Sequence, residues 1–315
     1  MQRFQTYSIP SDAHGAAVAI GNFDGVHLGH QAVIDLARTE AKKRNAPLGV
    51  LTFEPHPRVF FAEKMGRDLA PFRLMNADAR ARRLEKLGVD IVFELPFDQA
   101  LCDLTDAAFS KNILKDALSL RHVVVGTDFC FGKGRLGNVT TLAKHAVDFG
   151  FGVTVADQKN LGQQVISSTN IRNALSNGDP GKAAAMLGHW HRIEGLVKHG
   201  EKRGRELGYP TANMSIEGLQ PPAFGVYAVL VDILTGPHAG SYHGAASLGV
   251  RPMFGENYPN CETFLFDFVG DLYGETLSVG LVEYLRGEET FDDLDALISQ
   301  MDADCTQART SLAAL

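Results

Sequence analysis

Two hydrophobic patterns follow one another along the chain. Up to about residue 187, short apolar runs typical of buried strands alternate with stretches whose apolar positions recur at the helical period. The predicted strands are residues 16–20, 48–53, 89–95, 122–126 and 151–156, and the predicted helices are residues 31–44, 77–87, 106–119 and 140–149. Such alternation predicts an α/β fold with a doubly wound parallel sheet, in which ligands bind at the carboxyl ends of the strands.

Beyond about residue 195 the pattern changes to β-type runs broken by glycine and proline. The predicted strands are residues 195–198, 225–233, 242–249, 262–268 and 276–284. Because no helix separates them, they predict a small antiparallel β-barrel. Residues 291–312 have apolar side chains at helical spacing and predict a closing C-terminal helix.

The join between the two patterns is predicted to hold two short helices. Ser168 or Thr169 is the predicted cap of the first, and Asp179 with Pro180 at the first turn begins the second. We therefore divide the chain into a first domain of residues 1–187 and a second of residues 188–315.

Composition agrees with two globular domains and excludes several classes of protein. The 315 residues suffice for two cores, and contents of 45% hydrophobic and 21% charged residues are ordinary. No apolar run approaches the roughly 18 residues of a membrane span, and the N-terminus lacks a signal-peptide pattern, so we expect a cytoplasmic protein. Four scattered cysteines without C-x-x-C argue against a zinc site or a disulfide framework.

Charge is distributed unequally between the two predicted domains. The formal net charge of −7 argues against non-specific binding to nucleic acid or anionic membrane. Lysine and arginine counted against aspartate and glutamate give +3 for residues 1–187 and −10 for residues 188–315. This asymmetry is typical of two modules with different surfaces. The oligomeric state is left open.

Residues 21–30, G-N-F-D-G-V-H-L-G-H, join the first predicted strand to the first helix. Gly21 and Gly25 permit a tight turn, and the helix start offers N–H groups to an anion such as phosphate. His27 and His30, three apart, share one face of the first turn. Half of a metal site or a glycine-rich turn with incidental histidines remains an alternative. The stretch resembles the H-x-G-H signature of the nucleotidylyltransferase superfamily.

Three further segments of the first domain carry candidate chemistry. Residues 52–57, T-F-E-P-H-P, would hold His56 beside the first loop, although a rigid turn explains them equally well. Residues 126–138 have aromatic side chains between glycines and two cations. Such a loop can stack on a flat ring and bind a phosphate, and a mobile surface loop is the alternative. In residues 166–172 the hydroxyls suit a helix cap, and Arg172 is a candidate phosphate ligand.

Together the four segments resemble the FAD synthetase module of the bacterial bifunctional riboflavin kinase/FAD synthetase family. The resemblance implies a Rossmann-like nucleotidylyltransferase domain that binds ATP through the H-x-G-H loop and S-S-T-x-x-R, and FMN near G-x-D-F-x-F-G. The implied ATP-binding residues are Gly21, Phe23, Asp24, Gly25, His27, His30, Ser167, Ser168, Thr169 and Arg172, and the implied FMN-binding residues are His56, Asp128, Phe129 and Phe131.

The second domain opens its own candidate site with residues 200–213. The segment begins as a flexible cationic loop and ends in a stiff turn. A run of charged side chains in water is the usual explanation of such a loop. The uncharged oxygens of Thr211 and Asn213 suit Mg²⁺ when ATP phosphates supply the remaining ligands, and a plain turn is the alternative.

From about residue 195 to its end, the chain resembles the family's riboflavin kinase barrel, including G-R-x-L-G-[FY]-P-T-A-N. Glu262 matches the family's catalytic base, and Arg286 matches an arginine near the flavin. Without the resemblance, Glu262 would be interpreted as a strand carboxylate facing water and Arg286 as a surface charge. The family commonly has Pro-Thr-Phe where this chain has Met253 between proline and phenylalanine. The implied ATP- and flavin-binding residues are Gly200, Lys202, Arg205, Gly208, Pro210, Thr211, Asn213, Glu262 and Arg286, with Thr211 and Asn213 as the Mg²⁺ ligands.

The predicted function is a bifunctional enzyme of flavin cofactor synthesis. Riboflavin offers a neutral hydroxyl, so its phosphorylation by ATP benefits from a base such as Glu262. FMN offers an ionised phosphate, so its adenylylation to FAD needs positioning and charge stabilisation from His27, His30, Arg172 and Mg²⁺. The partners are riboflavin, FMN, FAD and ATP, without nucleic acid or membrane. A nucleotidylyltransferase for another phosphorylated acceptor and a catalytically silent flavin-binding protein are the alternatives.

Overall fold

The computed structural model describes residues 1–162, 164–199, 208–253 and 256–315, and these form two compact units. The first unit comprises residues 1–69 and 77–166, and the second comprises residues 70–76 and 167–315. The boundary at residue 187 divides the chain by its two expected activities, and this division stays a prediction.

A six-stranded parallel sheet forms the centre of the first unit. Its strands are β1 (Gln2–Phe4), β2 (Ala17–Ile20), β3 (Leu48–Glu54), β4 (Ile91–Pro96), β5 (His122–Gly126) and β6 (Gly152–Ala156). Their order is β1-β4-β3-β2-β5-β6, with parallel pairing throughout. The chain moves from β2 toward β3 and β4, then returns to place β5 on the other side of β2. This reversal is the switch point at which doubly wound sheets bind ligands.

Helices cover this sheet, and apolar side chains fill the space between. They are α1 (Leu28–Arg44), α2 (Pro57–Lys64), α3 (Ala77–Lys86), α4 (Gln99–Asp103), α5 (an α-helical turn Asp106–Ala108 continued by a π-helix Phe109–Ala117) and α6 (Val139–Phe149). The central strand β2 is buried along its whole length, which its apolar sequence A-V-A-I requires. The predicted doubly wound fold is confirmed, while β1, α2 and α4 were not predicted.

The second unit is built around a six-stranded antiparallel sheet. After a two-stranded hairpin in the first unit, β7 (Asn160–Leu161) and β8 (Gln164–Val165), its strands are β9 (His191–Leu196), β10 (Thr211–Ser215), β11 (Gly225–Ile233), β12 (Gly240–Met253), β13 (Glu256–Leu265) and β14 (Thr276–Arg286). The order is β10-β13-β12-β11-β14-β9. Beyond β9, the Lys198 N–H donates to the Asn213 carbonyl oxygen at 2.9 Å, so the two edges of the sheet meet as the predicted barrel requires.

Three helices belong to the second unit. They are α7 (Ser168–Ser176), α8 (Pro180–Leu187) and α9 (Leu294–Ala313). The predicted closing helix is confirmed as α9, whose Ala308 and Leu312 pack on the outer face of the sheet. The cap predicted at Ser168 or Thr169 is wrong, because both residues are already helical and Ser167 accepts the Asn170 N–H at 3.2 Å.

Within the described ranges, no helix combines the length and the apolar character that crossing a membrane requires.

Candidate active sites

The loop that follows β2 has an unusual backbone. Phe23 has a φ of 50° and Val26 a φ of 43°, in the left-handed region that a β-branched residue rarely adopts, while Gly25 has a φ of 88°. Phe23 and Val26 are buried, and the Gln31 side-chain amide donates to the Val26 carbonyl oxygen at 2.9 Å. Packing therefore holds this loop in a conformation of higher energy, which proteins retain chiefly at binding sites.

His27 is the N-cap of α1. Its Nδ1 accepts the His30 backbone N–H at 3.2 Å, which satisfies one of the open donors at the helix start. A nitrogen that accepts a hydrogen bond carries no proton, so the neutral ring carries its proton on Nε2. A Cβ at Gly29 would lie 3.0 Å from His27 Cε1, so this glycine makes room for the ring.

His30 stacks on His27, with ring centroids 3.6 Å apart and an interplanar angle of 14°. Its Nδ1 is buried and has no hydrogen-bond partner among the described residues. Burial, and secondarily the nearby His27, hold the pKa of His30 well below its ordinary value. His30 is therefore neutral near pH 7, and we assign its proton to Nε2, because a buried unpaired N–H costs free energy. The stacked pair thus presents two neutral N–H donors.

Beneath the loop lies a buried ion-pair cluster that the sequence did not indicate. The Arg80 guanidinium, 1% exposed, donates to Glu94 Oε2 at 2.7 Å and to Glu54 Oε2 at 3.0 Å. It also reaches the carbonyl oxygen of Asn22 at 3.4 Å. Burial raises the pKa of Glu94, but hydrogen bonds, including those from Arg3 and Arg80, outweigh burial and lower it. The cluster anchors the start of the loop to the sheet.

The loop after β5 is closed by a pair of backbone hydrogen bonds, each 3.0 Å, between Phe131 and Gly137. Phe129 and Phe131 stack with centroids 5.3 Å apart, but Phe131 is buried in the core against Phe109. Phe129 is only partly buried and is the better candidate of the two for a ring contact. Asp128 is exposed at the same turn.

The other predicted residues of the nucleotide site include a helix cap, His56, and a helical arginine, Arg172. His56 caps α2 by accepting the Arg58 N–H at 3.1 Å. Arg172 lies in α7 of the second unit, where its Nε donates to the Phe72 carbonyl oxygen at 2.6 Å and its guanidinium lies 5.5 Å from the Phe72 ring centroid. A role for Ser167, Ser168, Thr169 and Arg172 at a nucleotide stays a prediction.

In the second unit, Glu262 of β13 pairs directly with Asn213 of β10. Directly paired residues project to the same face, and so do residues two apart, which places Thr211 beside them. The intervening Ala212, like its neighbour Cys261 on β13, is buried inside the barrel. The predicted turn at residues 211–213 is therefore wrong: these residues form a strand that sets the proposed metal ligands and base side by side.

Ser247 of β12 pairs with Glu262 from the other side. Its hydroxyl is half-buried and makes no hydrogen bond within the part of the chain that the structure describes. Ser247 is identified as a candidate site residue only by the strand register, so the sequence alone did not indicate it. The row Asn213, Glu262 and Ser247 gives three adjacent strands a polar outer face.

Arg286, the last residue of β14, makes a two-pronged ion pair with Asp304 of α9. Nε lies 2.9 Å from Oδ1, and a terminal nitrogen lies 2.7 Å from Oδ2. The hydrogen bond that Arg286 donates to Asp304 raises the pKa of Arg286 above its ordinary value, so it is a permanent cation. That Arg286 lies near the flavin stays a prediction.

Five remaining predicted residues lie in the loop before β10. Gly200, Lys202 and Arg205 lie outside the described residues. Gly208 has a φ of 86°, and Pro210 immediately precedes β10.

A protein-only metal site is not visible among the described residues, which contain no group of three or more histidine, cysteine, aspartate or glutamate side chains suited to an ion. The side-chain oxygens of Thr211 and Asn213 nevertheless fit Mg²⁺, which binds few protein ligands when phosphates and water complete its octahedron.

Known families match both halves of the chain. The family described as FAD synthetase matches residues 9–170, and the family described as riboflavin kinase matches residues 187–312. A Streptococcus pneumoniae crystal structure described as a macrolide-efflux protein has 31% sequence identity and a TM-score of 0.79, and the match covers 96% of this chain and 97% of that one.

Two relatives extend over nearly the whole length. A bifunctional riboflavin kinase/FMN adenylyltransferase of Pseudomonas fluorescens is 41% identical over 304 residues, covering 96% of this chain and 95% of the relative. The enzyme of that name from Listeria monocytogenes is 38% identical over 302 residues, covering 95% and 93%. With this identity over nearly its whole length, and with an FAD synthetase match followed by a riboflavin kinase match, the chain belongs to the bifunctional riboflavin kinase/FMN adenylyltransferase family.

Proposed function

We propose that the second unit transfers the γ-phosphate of ATP to riboflavin and that the loop after β2 serves the adenylylation of the resulting FMN. The observation that carries this assignment is the difference between the two sites. One presents a carboxylate beside uncharged oxygens, and the other presents two neutral N–H donors at a helix start. The first arrangement suits a nucleophile that must lose a proton, and the second suits an anionic nucleophile.

In the kinase, Glu262 accepts the proton of the riboflavin 5′-hydroxyl as that oxygen attacks the γ-phosphorus. The bond from the γ-phosphorus to the bridging oxygen breaks, and ADP leaves with that oxygen. Mg²⁺, held by Thr211 and Asn213 together with the nucleotide, would neutralise charge on the phosphates. Asn213 stands directly across from Glu262 on the neighbouring strand, which supports a base and a nucleotide site side by side.

In the adenylyltransferase, a phosphate oxygen of FMN attacks the α-phosphorus of ATP. The bond to the bridging oxygen between the α- and β-phosphates breaks, and pyrophosphate leaves. His27 and His30 donate from Nε2 to the phosphate oxygens, and the start of α1 adds backbone N–H groups. Arg172 is proposed as a further cation at the phosphates. Since FMN is already ionised, no side chain needs to remove a proton.

Crossed variants test this division of labour. His30→Ala should lower FAD formation from supplied FMN and leave FMN formation from riboflavin near the wild-type rate. Glu262→Gln should abolish FMN formation and leave FAD formation from FMN intact. Loss of both activities in either single variant would contradict the assignment of one site to each reaction, provided that circular dichroism shows an intact fold. Cytoplasmic location stays a prediction from the sequence.

A further inference from the structure

Helix α9 contacts the two ends of the kinase face through carboxylates two residues apart. Asp302 accepts the hydroxyl of Tyr209, the residue that precedes Pro210 and strand β10. Asp304 accepts both prongs of the Arg286 guanidinium at the end of β14. In the sheet order, β10 and β14 are separated by three other strands, so one helix reaches across the row that contains Glu262.

The contact at Tyr209 fixes where β10 begins. Its ring also packs edge-on against Phe264, with centroids 5.2 Å apart and an interplanar angle of 68°. The hydrogen bond to Asp302 raises the pKa of the Tyr209 hydroxyl to about 12, so it is a protonated donor at every pH at which the enzyme works. The position of Thr211, two residues further on, therefore depends on α9.

The contact at Arg286 fixes the direction of a cation. Asp304 is 3% exposed, and Gln300 also donates to its Oδ1, at 2.9 Å. Another Arg286 N–H donates to the carbonyl oxygen of Gly287 at 3.0 Å. Among the described hydrogen bonds, three of the five guanidinium N–H groups are thus used by the protein. Glu289 lies 3.9 Å from a terminal nitrogen, and the Phe291 ring centroid lies 5.7 Å from the guanidinium carbon, so the direction of Arg286 is fixed from several sides.

The opposite end of α9 is attached independently of these carboxylates. Ala308 and Leu312 are buried against the outer face of the sheet. Arg309 makes an exposed two-pronged ion pair with Asp267, with both distances 2.9 Å. Removing one carboxylate at the middle of the helix therefore leaves this apolar attachment in place.

We infer that α9 is the positioning element of the kinase site. Asp304 orients Arg286 toward the flavin, and Asp302 holds the strand that carries the nucleotide and metal ligands through Tyr209. This inference rests on the proposed kinase function. Asp302 and Asp304 act through Tyr209 and Arg286 and are therefore positioning residues.

Two variants separate the two contacts, and a third is the matched control. Asp304→Asn keeps the size of the side chain but removes the charge that aligns Arg286. Tyr209→Phe keeps the ring packing and removes the hydroxyl. Asp267→Asn breaks another two-pronged arginine–aspartate ion pair, which joins Arg309 toward the far end of the helix.

Initial rates of riboflavin phosphorylation are measured on the full chain, with each substrate varied in turn. Asp304→Asn should raise the KM for riboflavin about tenfold with little change for ATP, the effect of one misaligned charged hydrogen-bond donor. Tyr209→Phe should raise the KM for ATP in the presence of Mg²⁺ and leave that for riboflavin. Asp267→Asn should match the wild type, and Asp304→Glu, which keeps the carboxylate, should recover part of the riboflavin KM.

The outcomes distinguish the inference from its premise. Absence of kinase activity in the wild-type protein would contradict the proposed kinase function. An active wild type whose Asp304→Asn and Tyr209→Phe variants behave like Asp267→Asn overturns the positioning role of α9. Equal increases in both KM values for either variant, with a lowered Tm, also overturn it, because they show a structural role only. FAD formation from FMN reports in each case that the protein is intact.

Discussion

The substitution His30→Ala separates a catalytic role from a packing role. The variant loses two ring contacts, with His27 at a centroid distance of 3.6 Å and with Phe23 at 5.1 Å, worth about 1–3 kcal/mol together. Alanine has a higher helix propensity than histidine, and the variant no longer buries a nitrogen without a hydrogen-bond partner. These two effects stabilise the variant by about 1–2 kcal/mol. The net change in the free energy of unfolding should stay within about 1–2 kcal/mol.

The rate should respond far more strongly than the stability. Loss of one preorganised donor costs about 10²–10³ in rate, and we expect this decrease in the kcat of FAD formation from FMN. The assay follows FAD by chromatography at saturating ATP, FMN and Mg²⁺, and denaturant unfolding measures stability in parallel. Riboflavin phosphorylation by the same preparation supplies the internal reference.

Two replacements identify the nitrogen that acts. Glutamine places an amide N–H near the position of Nε2, whereas asparagine places one near Nδ1. Since Nδ1 of His30 is buried, the His30→Gln variant should retain more activity than His30→Asn. An adenylylation rate within a factor of about 3 of wild type in His30→Ala would refute the donor role, because the expected loss is at least about 10².

Three other substitutions follow from particular contacts. Gly29→Ala puts a methyl group 3.0 Å from His27 Cε1 and should reduce FAD formation about tenfold or more while the Tm changes little, as measured by calorimetry. Ser247→Ala removes a hydroxyl from the residue directly across from Glu262, and steady-state kinetics should show weaker phosphorylation of riboflavin with unchanged FAD formation from FMN. Burial, and then His189, lower the pKa of His191 to about 3; the folded protein therefore binds fewer protons than the unfolded chain, and stability falls as the pH drops from about 6.5 toward 3. The Tm of His191→Gln should depend less on pH across this window.

Most of the fold follows from hydrophobic period. The strands at residues 122–126 and 225–233 have the predicted bounds, because both are apolar runs of limited length bounded by turn residues. The proline before β10, with the threonine and asparagine within it, predicts a turn where the structure has a strand. Its alternation, with Ala212 and Met214 inward and polar residues outward, was the signal for a strand.

The candidate sites were only partly predictable, because some contacts join distant parts of the chain. The histidine pair is local, and the spacing of His27 and His30 was enough to place both on one side of the start of α1, where His27 is the N-cap and His30 lies in the first turn. Arg80 is separated from Asn22 by 58 residues and from Glu94 by 14, and its burial leaves no pattern in the sequence of α3. Ion pairs of this kind become visible only when the sheet order is fixed.

The most direct test of the central claim is a time course with the purified protein, riboflavin, ATP and Mg²⁺. Chromatography should show FMN first and FAD after it, with one pyrophosphate released for each FAD. FMN without FAD would contradict the role assigned to the loop after β2, and the absence of both products would contradict catalysis by either site.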